Sequence, residues 1–313
     1  MTQEELQCML QEKGPEFDTL YRLNDAFFKF LVGKGGGEEV LKVFLNSVMD
    51  DTRQITSLDY LDRERSPAFG GKATRFDLRV KDVQGRIYHM EVQACVEQSF
   101  YQRCVQYAAS SYAEQAKRGG NPSELCPVIL IALMDFNCFP VKAAPEMYHW
   151  FSMMDRETHW PAPETIEVHT FELPKLRNSD TLKDKKYYTW IEYFASPLKG
   201  SDPRMQTLID ANPALQLAVD REKEFFEDPD LRRAYQQEEL RRWNMLKTLE
   251  SRYDEGITIG EARGEARGRA QGRAEGKAEG RADMVLKMLN AGMDIYDISS
   301  ISGFTPEQIR ALQ

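Results

Sequence analysis

One stretch restricts the fold of this chain more than any other. In Arg75-Phe76-Asp77-Leu78-Arg79-Val80-Lys81 the apolar residues alternate strictly with charged ones. That period of two describes a strand with one apolar face and one polar face. Asp82-Val83-Gln84-Gly85 supplies a turn, and residues 86–93 supply a returning strand. A turn centred on Gln84 sets Lys81 opposite Ile87, Arg79 opposite His89 and Asp77 opposite Glu91. Asp77, Glu91 and Gln93 then share one side. Phe76, Leu78 and Val80 share the other with Tyr88, Met90 and Val92 and bury against a core, leaving the polar set together on the opposite face.

Directly opposed residues in a hairpin have Cβ atoms about 5 Å apart. Two carboxylates that close repel unless a cation sits between them or one takes a proton. A hard divalent ion such as magnesium, which takes oxygen ligands and commonly one or two carboxylates, resolves the repulsion. It would also polarise a phosphate oxygen and activate a bound water. The plainer alternative is that Asp77 and Glu91 pair with Arg75, Arg79 or Lys72 on a solvated sheet face.

The surrounding pattern is α/β. Leu20, Leu23, Phe27, Phe30 and Leu31 recur at helical spacing up to Gly33, and Val40, Leu41, Phe44 and Val48 mark a second helix over 38–49. A strand is expected at 55–61, a helix at 97–118 and another strand at 166–173. The run Val128-Ile129-Leu130-Ile131-Ala132-Leu133 is continuous enough for a strand buried on both faces. Gly33-Lys34-Gly35-Gly36-Gly37 lacks the order of a phosphate-binding loop and follows a helix, so a flexible connector is expected there. Residues 203–255 read as helical and polar.

In the tail, glycine recurs every fourth residue from Gly256 to Gly280. Each interior glycine costs a helix about 1 kcal/mol relative to alanine, yet stripes of glycine and alanine let two helices approach closely. The segment is therefore open to two readings, a self-associating helix that makes a homo-oligomer or a flexible linker. Beyond it come three short helices, with Thr305-Pro306-Glu307-Gln308 forming a capping box. The expected organisation is a flexible segment 1–17, a core 18–200, a helical extension 201–255, the tetrad tail 256–282 and a small helical module 283–313.

Composition narrows the function classes. Five cysteines without a Cys-x-x-Cys pair and four scattered histidines argue against a disulfide framework and against zinc. No apolar run reaches the roughly 18 residues a membrane span needs. The acidic N-terminus lacks the basic and apolar regions of a signal peptide, so a cytoplasmic location is expected. A net charge of −9 argues against a protein that coats nucleic acid but allows one that grips a short stretch in a local basic cleft.

Asp77 followed by Glu91-Val92-Gln93 resembles the signature of the PD-(D/E)XK nuclease superfamily, with glutamine in place of the usual lysine. Asp25-Ala26-Phe27-Phe28-Lys29, Gly71-Lys72-Ala73-Thr74-Arg75-Phe76-Asp77-Leu78, and Gly85 leading to Glu91 are similar to the Rpn family of recombination-promoting nucleases, also labelled transposases. Arg103, Tyr107, Tyr112 and Gln115, then Pro127-Val128-Ile129 and Glu172-Leu173-Pro174-Lys175, follow the same pattern, so the resemblance spans roughly residues 18 to 290. It implies a restriction-endonuclease-like core, a mixed central sheet flanked by helices, with a helical C-terminal extension. It also implies a DNA endonuclease using Mg2+, or Mn2+, held by Asp77, Glu91 and the Val92 carbonyl. Asp25 matches an acidic residue that often completes such sites; its plainer reading is an ion pair with Lys29. Gln93 can hold a water but supplies no positive charge, which leaves Lys72 or Lys29 as sources of a cation. Arg75 and Arg103 are candidate phosphate contacts, although Arg103 could equally pair with a carboxylate. The alternatives are a non-catalytic DNA-binding relative and an oligomeric regulatory protein. Recombination, mobile-element movement and defence against foreign DNA all suit the chemistry.

Overall fold

The computed structural model describes residues 20–61, 64–65, 74–75, 78–97, 99–116 and 120–312. They divide into two compact units, Met1–Lys247 and Thr248–Gln313. In the first unit the described helices are α1 (Asp25–Val32), α2 (Glu38–Val48), α3 (Phe100–Ala113), α4 (Tyr188–Ala195), α5 (Pro203–Ala211) and α6 (Leu215–Glu227). Helix α7 (Pro229–Asn290) begins in this unit. The strands are β1 (Leu58–Tyr60), β2 (Glu64–Arg65), β3 (Thr74–Arg75), β4 (Leu78–Asp82), β5 (Ile87–Gln93), β6 (Val128–Met134), β7 (Tyr148–Phe151) and β8 (Ile166–Glu172).

Six strands form one mixed sheet in the order β1-β4-β5-β6-β8-β7, while β2 and β3 pair separately. β5, β6 and β8 run parallel at the centre, and β1, β4 and β7 join antiparallel. Every residue of β6 is buried, as its unbroken apolar sequence requires. Ile129, Ile131 and Leu133 enter a large core with α1, α2, α4, α5 and α6, whereas Val128, Leu130, Ala132 and Met134 meet Phe100, Cys104 and Ala108 of α3 on the other face. Aromatic contacts tie the first layer together: Phe27 meets Phe225 edge-on at 5.1 Å, and Phe44 meets Trp190 at 5.7 Å.

The observed hairpin register sets Lys81 against Ile87 and Arg79 against His89. Leu78, Val80, Tyr88 and Met90 face the large core, with Val92 packed at its margin. The polar face departs from the expectation of a half-buried strand. Arg79, His89 and Glu91 are buried as well, because α3 lies over them; Arg79 donates to Ser111 Oγ at 2.8 Å and approaches Glu114 at 3.7 Å. The sheet is thus covered on both sides at β5.

The glycine-rich stretch after α1 is a hydrogen-bonded turn in place of the flexible connector expected. Gly35 and Gly36 adopt φ of +97° and +119°, and their N–H groups donate to the Glu38 carboxylate at 2.8 and 2.6 Å. These bonds, the Gly35 one foremost, hold the Glu38 carboxyl below its usual range.

In the second unit α7 continues through the tetrads to Asn290 and is followed by α8 (Ile295–Ser302) and α9 (Pro306–Arg310). Of the two readings left open for the tetrads, the structure therefore takes the helical one. Gly303 closes α8 at φ +72°, and Thr305 with Gln308 forms the expected capping box. Val285, Ile298 and Ile309 make a small core of their own. Among the described residues no helix is long and apolar enough to cross a membrane.

Candidate active site

Glu91, Val92 and Gln93 end β5, a parallel strand in the middle of the sheet. Such strand ends are where a chain can gather side chains from several connections, because each following segment leaves in a different direction. Glu91 is 5 % exposed and lies on the α3 face. The Cys104 thiol of α3 is pushed up chiefly by burial and next by the charge of Glu91. The Gln93 carbonyl accepts from the Asp135 N–H at 3.1 Å, on the β6 side. Carbonyls alternate along a strand, so that of Val92 points toward the β4 side. The residue that precedes β4 in the chain is Asp77.

Asp77 and Lys72 lie outside the described residues, as does the side chain of Arg75, whose backbone belongs to β3. The other candidate residues are placed. Asp25 opens α1 and ion-pairs with Lys29 at 2.5 Å. It also lines a cleft of about 220 Å³ together with Val92 and Gln93. The ion-pair and active-site readings of Asp25 are thus not exclusive. The Gln93 amide is engaged at both ends: Oε1 accepts from Arg103 Nη2 at 2.9 Å, and Nε2 donates to the Cys95 carbonyl at 3.0 Å. Arg103 also pairs with Glu97, a residue just ahead of its own helix.

Sequence reasoning missed the far wall of this cleft. Tyr21, Asn24, Glu238, Glu239, Arg241 and Arg242 line it, the last four from α7. Asn24 caps α1 through Oδ1 and donates from Nδ2 to Glu239 Oε1 at 2.8 Å and to the Tyr235 carbonyl at 3.1 Å. Arg242 pairs with Glu239 at 3.0 Å and lies 4.0 Å over the Tyr21 ring. Tyr21 donates its hydroxyl to Asp135 Oδ2 at 3.0 Å, and burial, followed by the Asp135 charge, raises its pKa. The wall therefore combines acidic and basic groups fixed by one another.

Among the described residues no group of three or more His, Cys, Asp or Glu side chains is arranged to hold a metal ion. The donors that Glu91 and Val92 present, a carboxylate and a main-chain carbonyl, are nevertheless hard oxygens of the class that magnesium and manganese prefer. They fit a divalent ion that would draw its remaining ligands from residues outside that set and from water.

The family model described as PD-(D/E)XK nuclease family transposase matches residues 22–252. No curated protein and no solved structure matches the chain.

Proposed function

The chain belongs to the PD-(D/E)XK nuclease family transposases, and from that membership we propose that it is a metal-dependent DNA endonuclease. Its mixed sheet flanked by helices is the restriction-endonuclease-like α/β fold. Nucleases of this kind generally use divalent metals. The observation that carries the reading is that Glu91-Val92-Gln93 ends a central strand, β5, whose last two residues line a cleft together with Asp25.

In this reading Asp77, Glu91 and the Val92 carbonyl hold a magnesium or manganese ion. When bound, that ion polarises the scissile phosphate and lowers the pKa of a water. Asp25, held by Lys29, adds an acidic group at the cleft edge. Lys72 supplies the positive charge that Gln93 lacks, and Lys29, Arg75 and Arg103 are assigned to the DNA backbone. The test is cleavage of supercoiled plasmid with magnesium or manganese, comparing the wild type with Asp77→Asn and Glu91→Gln. Loss of the ion's contribution, several kcal/mol, lowers the rate at least about 100-fold in each variant. Equal cleavage by all three proteins would reject the site. No cleavage by the wild type across metals and substrates would shift the assignment to DNA binding.

We also propose that the tail of the second unit self-associates. A Cβ added to any of the tetrad glycines meets nothing within 4 Å, so the chain itself gives no packing reason for seven glycines that weaken a helix. From Gly260 on, the residue after each glycine reads Glu261, Glu265, Arg269, Arg273, Lys277, Arg281. The residue two places further on reads Arg263, Arg267, Gln271, Glu275, Glu279, Asp283. Two parallel copies in register set these stripes against each other with opposite signs at every tetrad but one. Light scattering of the full chain and of a chain ending at residue 247 checks this. An equal oligomeric state for both would remove the tail from any role in assembly.

A further inference from the structure

Hydrolysis of a phosphodiester places negative charge on the phosphoryl oxygens and the leaving oxygen in the transition state, and preorganised cations or N–H donors aimed at that charge stabilise it. At the mouth of β5 the side chain next to Glu91 on the same face is neutral Gln93. Both ends of its amide are engaged, the oxygen by Arg103 and the nitrogen by the Cys95 carbonyl. As placed, Gln93 is an anchor.

What it anchors is a guanidinium. Arg103 offers five N–H donors in a rigid fork. One goes to Gln93 and one to Glu97. Its Nε–H is enclosed and has no acceptor among the described residues. Its side chain is 28 % exposed, so a route from solvent to the group remains. The Phe100 ring, 5.0 Å from the guanidinium carbon, fixes the plane of the fork from its own helix. Arg103 also stands on the Glu91 side of the sheet, because the Gln93 side chain it bonds is two residues along β5 from Glu91 and shares its face.

We propose that Arg103 is the phosphate-contacting cation of this site and that Gln93 is the residue that positions it. The assignment rests on the nuclease reading above for the identity of the phosphate. A neutral anchor holds the fork without adding a second carboxylate to the one that Glu97 already sets against it, as a glutamate at position 93 would. A lysine there would place an ammonium against a guanidinium now 2.9 Å from the Gln93 oxygen, expelling one of the two. The lysine more usual at this position of the motif is thus incompatible with Arg103 in its observed place.

The experiment uses the full chain carrying Arg103→Ala, Arg103→Lys or Gln93→Lys. Plasmid cleavage is measured alongside the salt dependence of binding to a short DNA duplex without added metal. Arg103→Ala is expected to cut at least about 100-fold more slowly, the loss typical of one removed transition-state donor. Its slope of log affinity against log salt should fall by about 0.9, the value for one phosphate contact. Arg103→Lys should keep the slope and recover part of the rate. Gln93→Lys should cut at least about tenfold more slowly than the wild type. Wild-type slope with cleavage within threefold for a folded Arg103→Ala, or Gln93→Lys cutting as well as the wild type, would overturn the proposal. If Arg103→Ala fails to fold, a folded Arg103→Gln that keeps the wild-type slope and cleavage rate overturns it as well. Should the wild type not cleave, the nuclease reading fails separately, and the salt slope still decides whether Arg103 meets phosphate.

Discussion

Asn24 joins the two walls of the cleft, and removing its side chain tests whether that junction holds the site together. Its Oδ1 accepts from the N–H groups of Ala26 and Phe27 at 3.1 and 3.2 Å, a helix cap that contributes about 1 kcal/mol. Its Nδ2 donates at 2.8 Å to Glu239, a bond to a carboxylate that contributes about 1.5–3 kcal/mol. The Tyr235 carbonyl, 3.1 Å from the same nitrogen, would lose a donor in the interior, at about 1 kcal/mol more. Asn24→Ala should therefore destabilise the first unit by about 3–5 kcal/mol, an upper range because neighbouring losses overlap. A unit of this size loses about 2–4 °C per kcal/mol, so its melting midpoint should drop by about 6–20 °C. Asn24→Asp separates the two roles. Aspartate caps as well as asparagine, yet it sets a carboxylate against Glu239 where a donor stood. It should be destabilised by at least about 2 kcal/mol, and adding Glu239→Gln should recover part of the loss by restoring a donor. Urea titrations of the wild type, Asn24→Asp, Glu239→Gln and the double variant give the coupling energy directly. If Asn24→Ala costs no more than the cap alone, or if Asn24→Asp matches the wild type, α7 is not held to the site through Asn24.

Two further outcomes follow from buried charges. Arg22 is fully buried, with Glu222 at 2.8 Å and the Ser196 and Leu198 carbonyls each at 2.6 Å; Glu222→Ala strands the guanidinium and should cost about 3–5 kcal/mol in urea unfolding. His169 is enclosed between Tyr148 and Glu167, with the Trp150 ring stacked on it and Arg53 nearby. Burial foremost lowers its pKa. The unfolded chain then takes up a proton that the native state refuses, so stability should fall as pH drops below about 6.5. His169→Gln should flatten that limb of a stability-against-pH curve, and an unchanged limb would assign it to other groups.

The sheet centre and the hairpin register were legible because both are local. The alternation in 75–81 and the apolar run in β6 each specify their own burial. The cover over Glu91 was not legible. Arg79 and His89 read as a solvent face, and the contacts of Arg79 with Ser111 and Glu114 of the covering helix make its burial tolerable. Strand β7 was missed for a related reason. Tyr148-His149-Trp150-Phe151 has no polar alternation, since its aromatic rings pack along the edge, Tyr148 on Phe171 and Trp150 on His169. Within the site, Glu91, Gln93 and Asp25 could be named from their motifs. Tyr21, Asp135, Glu239 and Arg242 could not, since no short pattern joins Tyr21 to Asp135 across 114 positions or Asn24 to Glu239 across 215.

Those long separations bear on where the folded unit that carries the cleft ends. The polar surfaces of α5, α6 and the start of α7 make residues 201–247 look like an appendage. Their inward faces carry Met205, Leu215, Ala218, Phe225 and Tyr235, all part of the same core as α1 and the sheet. Arg22 reaches Glu222, the Tyr21 N–H reaches the Tyr235 hydroxyl at 2.8 Å, and Asn24 reaches Glu239. Three residues at the entry to α1 thus make contacts with segments some 200 residues downstream. The family match begins at residue 22 and runs to 252, so it takes in both sides of this closure apart from Tyr21. A cleft whose floor is β5 and whose wall is α7 exists only after the chain has returned to its own beginning. The geometry at Gln93 and Asp25 therefore depends on the helices after residue 200 as much as on the motif itself.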